Sequence, residues 1–199
     1  MLKENSVKNY KVELCHRREV VDFIEKWHYS KNVNGLTTDY CFKLLDKNGD
    51  IIGAMIYGKI AMANVWKKYS KTEKDLIELK RLCCIDETPK NTESYFIGYT
   101  LRWLRKNTDI KRVISYADTT YSHEGTIYKA TNFKYIGMTN KGKVIMYKGK
   151  RYHDKTIRTK YKGELKPFAQ EIKTALNCGE AVYVNTLGKH IYIYDLKKL

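Results

Sequence analysis

The period of the apolar positions changes from one segment of the chain to the next. Residues 10–14 alternate apolar and polar, the mark of a half-buried strand. Over residues 16–27 the apolar positions are Val20, Val21, Phe23, Ile24 and Trp27, which share one helical face. Residues 29–39 are rich in Ser, Asn, Gly and Thr and predict a loop. Strands over 40–45 and 51–57 are joined by Asp46-Lys47-Asn48-Gly49-Asp50, whose Asn-Gly pair suits the positive φ values of a hairpin turn. Residues 77–85, IELKRLCCI, form the next strand, followed by a polar loop with Pro89 and Asn91. A helix begins at Ser94, with Tyr95, Ile97, Leu101 and Leu104 along one side. Arg105 and Lys106 in its last turn suit the negative end of the helix dipole.

The second half continues the same alternation. Residues 111–117, KRVISYA, read as a buried strand, 125–132 as a short helix, and 133–135 as the opening of another strand. Lys141-Gly142-Lys143 and Lys148-Gly149-Lys150 are turn signals on either side of a strand VIMY. A further helix over 162–177 and a last strand over 190–195 complete the pattern. Strands alternate with helices, so the expected fold class is α/β with a mixed sheet. The chain shows no internal repeat and no Pro-rich or Gly/Ser-rich linker. The expected organisation is therefore one domain over 1–199, with a core at about 10–150 and a basic extension at about 151–199.

Composition narrows the classes. At 199 residues and 43% hydrophobic content the chain can build a real core. It has no run of eighteen apolar residues, so no membrane span is expected. The opening MLKENSVKNY is polar and lacks the apolar stretch of a secretory leader. Cys15, Cys41, Cys83, Cys84 and Cys178 are odd in number and without CxxC spacing. Reduced core thiols in a cytoplasmic protein are the expectation, with no metal site evident.

The formal charge of +16 changes the picture more. It is uneven: between 141 and 166 stand Lys141, Lys143, Lys148, Lys150, Arg151, Lys155, Arg158, Lys160, Lys162 and Lys166, opposed by Asp154 and Glu164 alone. Tyr147, Tyr152 and Tyr161 are interleaved, in a chain with 17 tyrosines against 5 phenylalanines. Such a surface contacts phosphates and stacks on bases, so DNA is the expected partner; a solvated lysine coat is the alternative. Lys141, Lys143, Lys148, Lys150, Arg151 and Arg158 are the candidate DNA contacts.

The order strand 77–85, loop, helix from Ser94, strand 111–117, short helix resembles the core of the GNAT acyltransferases. In that fold a central strand splays from its parallel neighbour, and the next helix offers free N–H groups to a pyrophosphate. Asn91-Thr92-Glu93-Ser94 stands where the family carries a glycine-rich phosphate loop. The resemblance makes Asn91, Ser94 and Tyr95 candidates for cofactor binding; helix capping is the other reading of Asn91 and Ser94. Gly125-Thr126-Ile127-Tyr128 and the following Asn132-Phe133 resemble the segment in which a GNAT tyrosine protonates the departing thiolate, with Asn132 in place of glycine. Acetyl-CoA or a relative is the fold's default donor, although the acyl or alkyl donor is not identified by the residues.

A narrower resemblance is to the Mom-type phage DNA modification proteins. It rests on Trp27-His28-Tyr29-Ser30, Glu78-Leu79-Lys80-Arg81-Leu82, Pro89-Lys90-Asn91-Thr92-Glu93-Ser94, Ser115-Tyr116-Ala117-Asp118 and Gly125-Thr126-Ile127-Tyr128, in that order. It implies a phage- or prophage-encoded transferase that adds a carbamoylmethyl group to adenine N6 and protects phage DNA from host restriction. It also implies His28, Arg81, Ser94, Asp118 and Tyr128 as site residues, with Ser115 beside them.

The residues allow these roles on physical grounds. A tyrosine of pKa near 10 can protonate a leaving group within hydrogen-bond reach. Ser115 and Asp118 end a strand at the carboxyl edge of the sheet, where ligand crevices form. Asp118 can take or orient an amine proton, or cap the next helix. Arg81, in an otherwise apolar strand, calls for an anionic partner such as a phosphate, Glu78 or Asp118. His28 follows a helix end, where capping, base and ligand roles are all open. Two other functions stay open: a GNAT-fold N-acyltransferase acting on a protein or small-molecule amine, and a non-catalytic nucleic-acid-binding protein on the same scaffold.

Overall fold

A computed structural model describes residues 7–197. Residues 1–6, part of the polar opening on which the leader expectation rests, lie outside the described residues. The chain folds into two compact units. The first holds the residues up to Ala117, with Glu124–Gly137 and the residues from His190 onward; the second holds Asp118–His123 and Met138–Lys189.

The first unit is built on a seven-stranded sheet. Strand β1 (Lys11–Cys15) leads through a single 3-10 turn to helix α1 (Val21–Trp27). Strands β2 (Tyr40–Leu45) and β3 (Ile51–Gly58) form the expected hairpin. Of its Asn-Gly pair only Gly49 has positive φ, at 89°. The loop is held instead by the Asp46 carboxylate, which accepts the N–H groups of Asn48 and Asp50 at 2.8 and 2.9 Å. Strand β4 (Leu76–Cys84), helix α2 (Thr92–Asn107), strand β5 (Arg112–Asp118), helix α3 (Thr126–Ala130) and strand β6 (Lys134–Met138) follow. Helix α2 starts two residues before the predicted Ser94, because Asn91 takes the left-handed backbone (φ 72°) and turns the chain there.

In the second unit, β7 (Gly142–Tyr147) and β8 (Lys150–His153) are joined by Lys148-Gly149, both at positive φ. That is a two-residue hairpin turn. Gly142 and Lys143, predicted as a turn, belong to β7 instead, because they pair with Thr186 and Asn185. The predicted helix over 162–177 is shorter. Lys162-Gly163 turns a small hairpin between β9 (Lys160–Tyr161) and β10 (Glu164–Leu165), and helix α4 (Pro167–Asn177) starts with proline in its first turn, where the missing N–H costs nothing. Strand β11 (Val182–Thr186), which the pattern does not announce, pairs antiparallel with β7. The last strand, β12 (Lys189–Asp195), returns to the first unit's sheet.

The sheet order is β1-β2-β3-β4-β5-β12-β6, mixed, with β4 and β5 parallel. One face buries Phe42, Leu44, Met55 and Tyr57 against Phe96, Ile97, Leu101 and Leu104 of α2. Each such side chain contributes roughly 1.5–3 kcal/mol by leaving water. The Tyr57 hydroxyl, fully buried, is satisfied by Thr100 at 2.8 Å. On the other face Val20 and Ile24 of the α1 segment cover Ala54, Ile56 and Cys83. The five cysteines are free; burial raises the thiols of Cys15, Cys41, Cys83 and Cys84 well above their ordinary value. No helix among the described residues is long and apolar enough to cross a membrane.

Candidate active site and nucleic-acid interface

The site begins where the β4–β5 ladder stops. The strands pair only over Leu76–Leu79 and Arg112–Ser115 and then part, the splay expected of this sheet. A bulge in β4 sits at the same point: Ile56 pairs with Arg81 but Tyr57 with Leu79, so Lys80 is the extra residue. The bulge flips the parity of the strand, placing Ile77 and Leu79 with Leu82 and Cys84 on one core face while Arg81 and Cys83 turn away.

Ser115 occupies the vertex. It is fully buried, and its hydroxyl donates to the Leu79 carbonyl at 3.2 Å. The Tyr128 phenol meets the Ser115 hydroxyl there. Helix α3 delivers Tyr128 because Gly125, at φ 71°, lets the chain turn directly into it. A Cβ at Gly125 would come within 2.2 Å of the Tyr192 ring. Tyr128 packs between Phe133 and Tyr192 at centroid separations of 5.4 and 5.3 Å and is 9% exposed. Burial pushes its phenol up to about 12; Ser115 opposes the rise, while Tyr29 and Glu78 add to it. Asn132 takes φ 62°, so it reproduces the backbone that glycine gives the related motif.

Two residues that the sequence reading did not place in the site belong to its surroundings. Burial raises the phenols of Tyr128 and Tyr116, and the Glu78 carboxylate adds to both. It pairs with Lys80, whose side chain is 2% exposed, at 3.2 Å. Tyr29 acts electrostatically on both Arg81 and Tyr128. The signal for Glu78 was a carboxylate in a strand otherwise facing a core.

Arg81 forms no ion pair with a carboxylate among the described residues. Its Nε and one terminal nitrogen donate to the Asn32 carbonyl at 3.2 and 3.1 Å, and the other terminal nitrogen donates to the Lys80 carbonyl at 2.7 Å. The arginine thus ties the loop after α1 to β4. His28 caps the end of α1 and is buried; its Nδ1 accepts the Ser30 N–H at 3.1 Å, so the neutral ring carries its proton on Nε2. Its ring stacks on Tyr29 at 4.2 Å.

Helix α2 begins at Thr92. The Asn91 side chain makes no capping bond. A groove of about 260 Å³ runs beside the helix, lined by Ser94, Gly98, Arg102, Arg105 and Asn132 among others. Ser94 reaches this groove. Tyr95 does not; its hydroxyl donates to the Tyr10 carbonyl at 3.1 Å.

In the second unit Asp118 is buried and doubly held: Oδ1 accepts the Thr120 N–H at 3.0 Å and Oδ2 pairs with Lys189 at 3.2 Å. Burial alone would raise its carboxyl, but Lys189 and Thr120 outweigh it and the group sits below its ordinary value. Lys141, Lys143, Lys148, Lys150, Arg151 and Arg158 are all exposed. Lys148 pairs with Glu171 and Arg158 with Asp154, each at 3.1 Å. Arg151 donates to the Tyr121 hydroxyl at 3.0 Å. The remaining cations of 141–166 have no carboxylate partner among the described residues. Tyr147 is core rather than surface, packed against Ile172 and Ala175, whereas Tyr161 is open. Among the described residues no group of three or more His, Cys, Asp or Glu side chains is arranged to hold a metal ion.

Comparison with known proteins gives a family and a fold. The model of the Mom protein family matches residues 9–199. The methylcarbamoylase mom of Escherichia phage Mu is 26% identical over 137 residues, which cover 67% of this chain and 56% of that protein. The chain thus matches little more than half the length of that relative. Among solved structures, a Bacillus subtilis acetyltransferase in complex with CoA superposes with a TM-score of 0.53 at 10% identity, covering 94% of this chain and 98% of that one. An N-acetyltransferase from Staphylococcus aureus Mu50 gives 0.52 at 13% identity, covering 95% and 99%. A spermidine N-acetyltransferase SpeG mutant from Vibrio cholerae gives 0.54 at 8%, covering 95% of each chain. At these identities the likeness is one of fold, and the fold is the GNAT acyltransferase fold.

Proposed function

Because the chain belongs to the Mom protein family, we propose that it is a transferase acting on DNA that adds a carbamoylmethyl group to adenine N6, protecting phage DNA from restriction. The observation that carries the reading is the vertex of the splay, where a buried phenol and a buried serine hydroxyl meet beside Glu78. The chemistry forms one bond from N6 to carbon, releases one proton from the amine and frees one leaving group. The N6 lone pair is delocalised into the ring, so the amine must be held close and its proton taken up.

Tyr128 is the proton donor to the leaving group. Held near 12, it enters the reaction protonated at neutral pH. Ser115 fixes the direction of the phenol, since its own proton is committed to Leu79. Burial keeps the phenol from ionising, with Tyr29 and Glu78 adding to the effect. Asp118, in the second unit, is kept ionised and held by Thr120 and Lys189, and suits orienting an amine hydrogen rather than acting as a strong base. The proton that the amine releases restores the Tyr128 phenolate, so the step balances, and Arg81 ties the loop that follows His28 to β4. Ser94 in the first turn of α2, with Arg102 and Arg105 further along the same groove, suits a phosphate-bearing donor, which when bound would supply a CH2 carbon carrying both the CONH2 group and the leaving group. Asn91 and Tyr95 act there through the backbone turn and the packing of the helix. The exposed cations of the second unit hold the DNA backbone.

A non-catalytic DNA-binding role has less support, because the two asparagines at positive φ restore the turns that missing glycines would otherwise deny. The test is DNA from cells expressing wild type, Tyr128→Phe or Asp118→Asn, assayed for modified adenine. Removal of one acid–base group slows such chemistry by about 10²–10⁴. Wild-type modification by both variants would overturn the assignment.

A further inference from the structure

The second unit carries a groove of about 680 Å³ lined by part of the basic segment that suggested DNA, Lys141, Lys143 and Arg158. Its floor is one face of the β7–β11 ladder. The antiparallel register sets Tyr183 beside Ile145 and Asn185 beside Lys143, so these side chains rise from the same face. Ile145 is fully buried in the cluster with Ile172 and Ala175 of α4, whereas Tyr183 is 49% exposed and Asn185 and Lys143 are open. Leu187, 55% exposed, adds an apolar wall.

Lys141 and Lys143 line the groove and have no carboxylate partner among the described residues. Its one carboxylate, Asp154, is taken up by Arg158 at 3.1 Å. Two ammonium groups alone would suit any polyanion. An open aromatic ring and an apolar wall in the same groove suit a polyanion that carries flat, unpaired rings. A base pair within a duplex has both faces stacked and cannot present one to Tyr183.

We propose that this groove binds one unpaired nucleotide of a DNA strand, with the base stacked on Tyr183, the flanking phosphates on Lys141 and Lys143, and the Asn185 amide at the base edge. The proposal rests on the DNA reading above and deepens it. The substrate is engaged as a locally opened strand, consistent with chemistry on an exocyclic amine that pairing hides.

The experiment measures binding of the full chain to oligo-dT and to a duplex of the same length over a range of salt, for wild type, Tyr183→Ala, Tyr183→Phe and Lys141→Gln/Lys143→Gln. The half-exposed Tyr183 side chain makes no hydrogen bond among the described residues, so the alanine variant is expected to melt like wild type. Tyr183→Ala should weaken oligo-dT binding by roughly 5- to 150-fold, the loss of one base–aromatic stack, with an unchanged salt slope. Tyr183→Phe should bind as wild type does. The double lysine variant should flatten the salt slope by about 0.7 per lysine on single strands. Wild-type affinity of Tyr183→Ala for oligo-dT would overturn the groove, as would a wild type that binds duplex but not oligo-dT; both leave the DNA reading standing. A wild type that binds neither DNA removes the reading and the groove together.

Discussion

Tyr128 reaches the vertex of the sheet only because Gly125 precedes it, and the two positions fail in different ways. Gly125→Ala would force a methyl group into the Tyr192 ring at a backbone of φ 71°. A loss of about 2–6 kcal/mol is expected, combining roughly 1–3 of backbone strain with 1–3 of overpacking, read by denaturant melting. Tyr128→Phe should keep the fold and lose the chemistry. It also has a pH signature. The folded phenol, at about 12, lies above its ordinary value of 10, so its contribution to stability is complete below pH 10 and lost as the pH rises toward 12. Wild type should therefore lose more stability across that window than Tyr128→Phe; equal alkaline losses would contradict the burial of the phenol. Asn132, already at φ 62°, should accept glycine with little change in melting. The motif around Tyr128 was legible in the sequence. That Asn91 and Asn132 adopt glycine's backbone was not, because φ leaves no mark in composition beyond asparagine's tolerance for it.

At the scale of elements, the decisive device is the bulge at Lys80. The run IELKRLCCI reads as one continuous strand, and its apolar positions move from odd to even numbers without announcing why. The bulge is the reason, and it also turns Arg81 toward the loop after α1 instead of toward a carboxylate. Arg81→Met should therefore raise amide hydrogen exchange over residues 29–34 while the strands of the core keep their protection; unchanged exchange there would remove the clamp. Helices with one apolar face and hairpins with turn residues were visible in the pattern. Strand β11 was not, because Val182, Tyr183 and Val184 are all exposed and show no alternation of burial to betray it. The β9–β10 hairpin was hidden inside a helical reading, since Lys162-Gly163 is a turn only once both adopt positive φ.

For the whole molecule, the sequence reading placed a core at about 10–150 and an extension at about 151–199, whereas the second unit takes Asp118–His123 and Met138–Lys189 and the last strand rejoins the first sheet. That return is a long-range pairing with no local signature. The charge, by contrast, was legible at once. Replacing Lys141, Lys143, Lys150 and Arg151 by glutamine should weaken duplex binding across all sequences and lower the slope of log K against log salt by about 0.9 per contact removed. An unchanged slope would make the cations a solvated coat. The central claim is that the chain modifies adenine. The most direct measurement is mass spectrometry of nucleosides from DNA of cells expressing it. The account predicts a deoxyadenosine carrying CH2CONH2 in place of one N6 hydrogen, present with wild type and nearly absent with Tyr128→Phe. Unmodified deoxyadenosine in cells that hold folded, DNA-binding protein would contradict it.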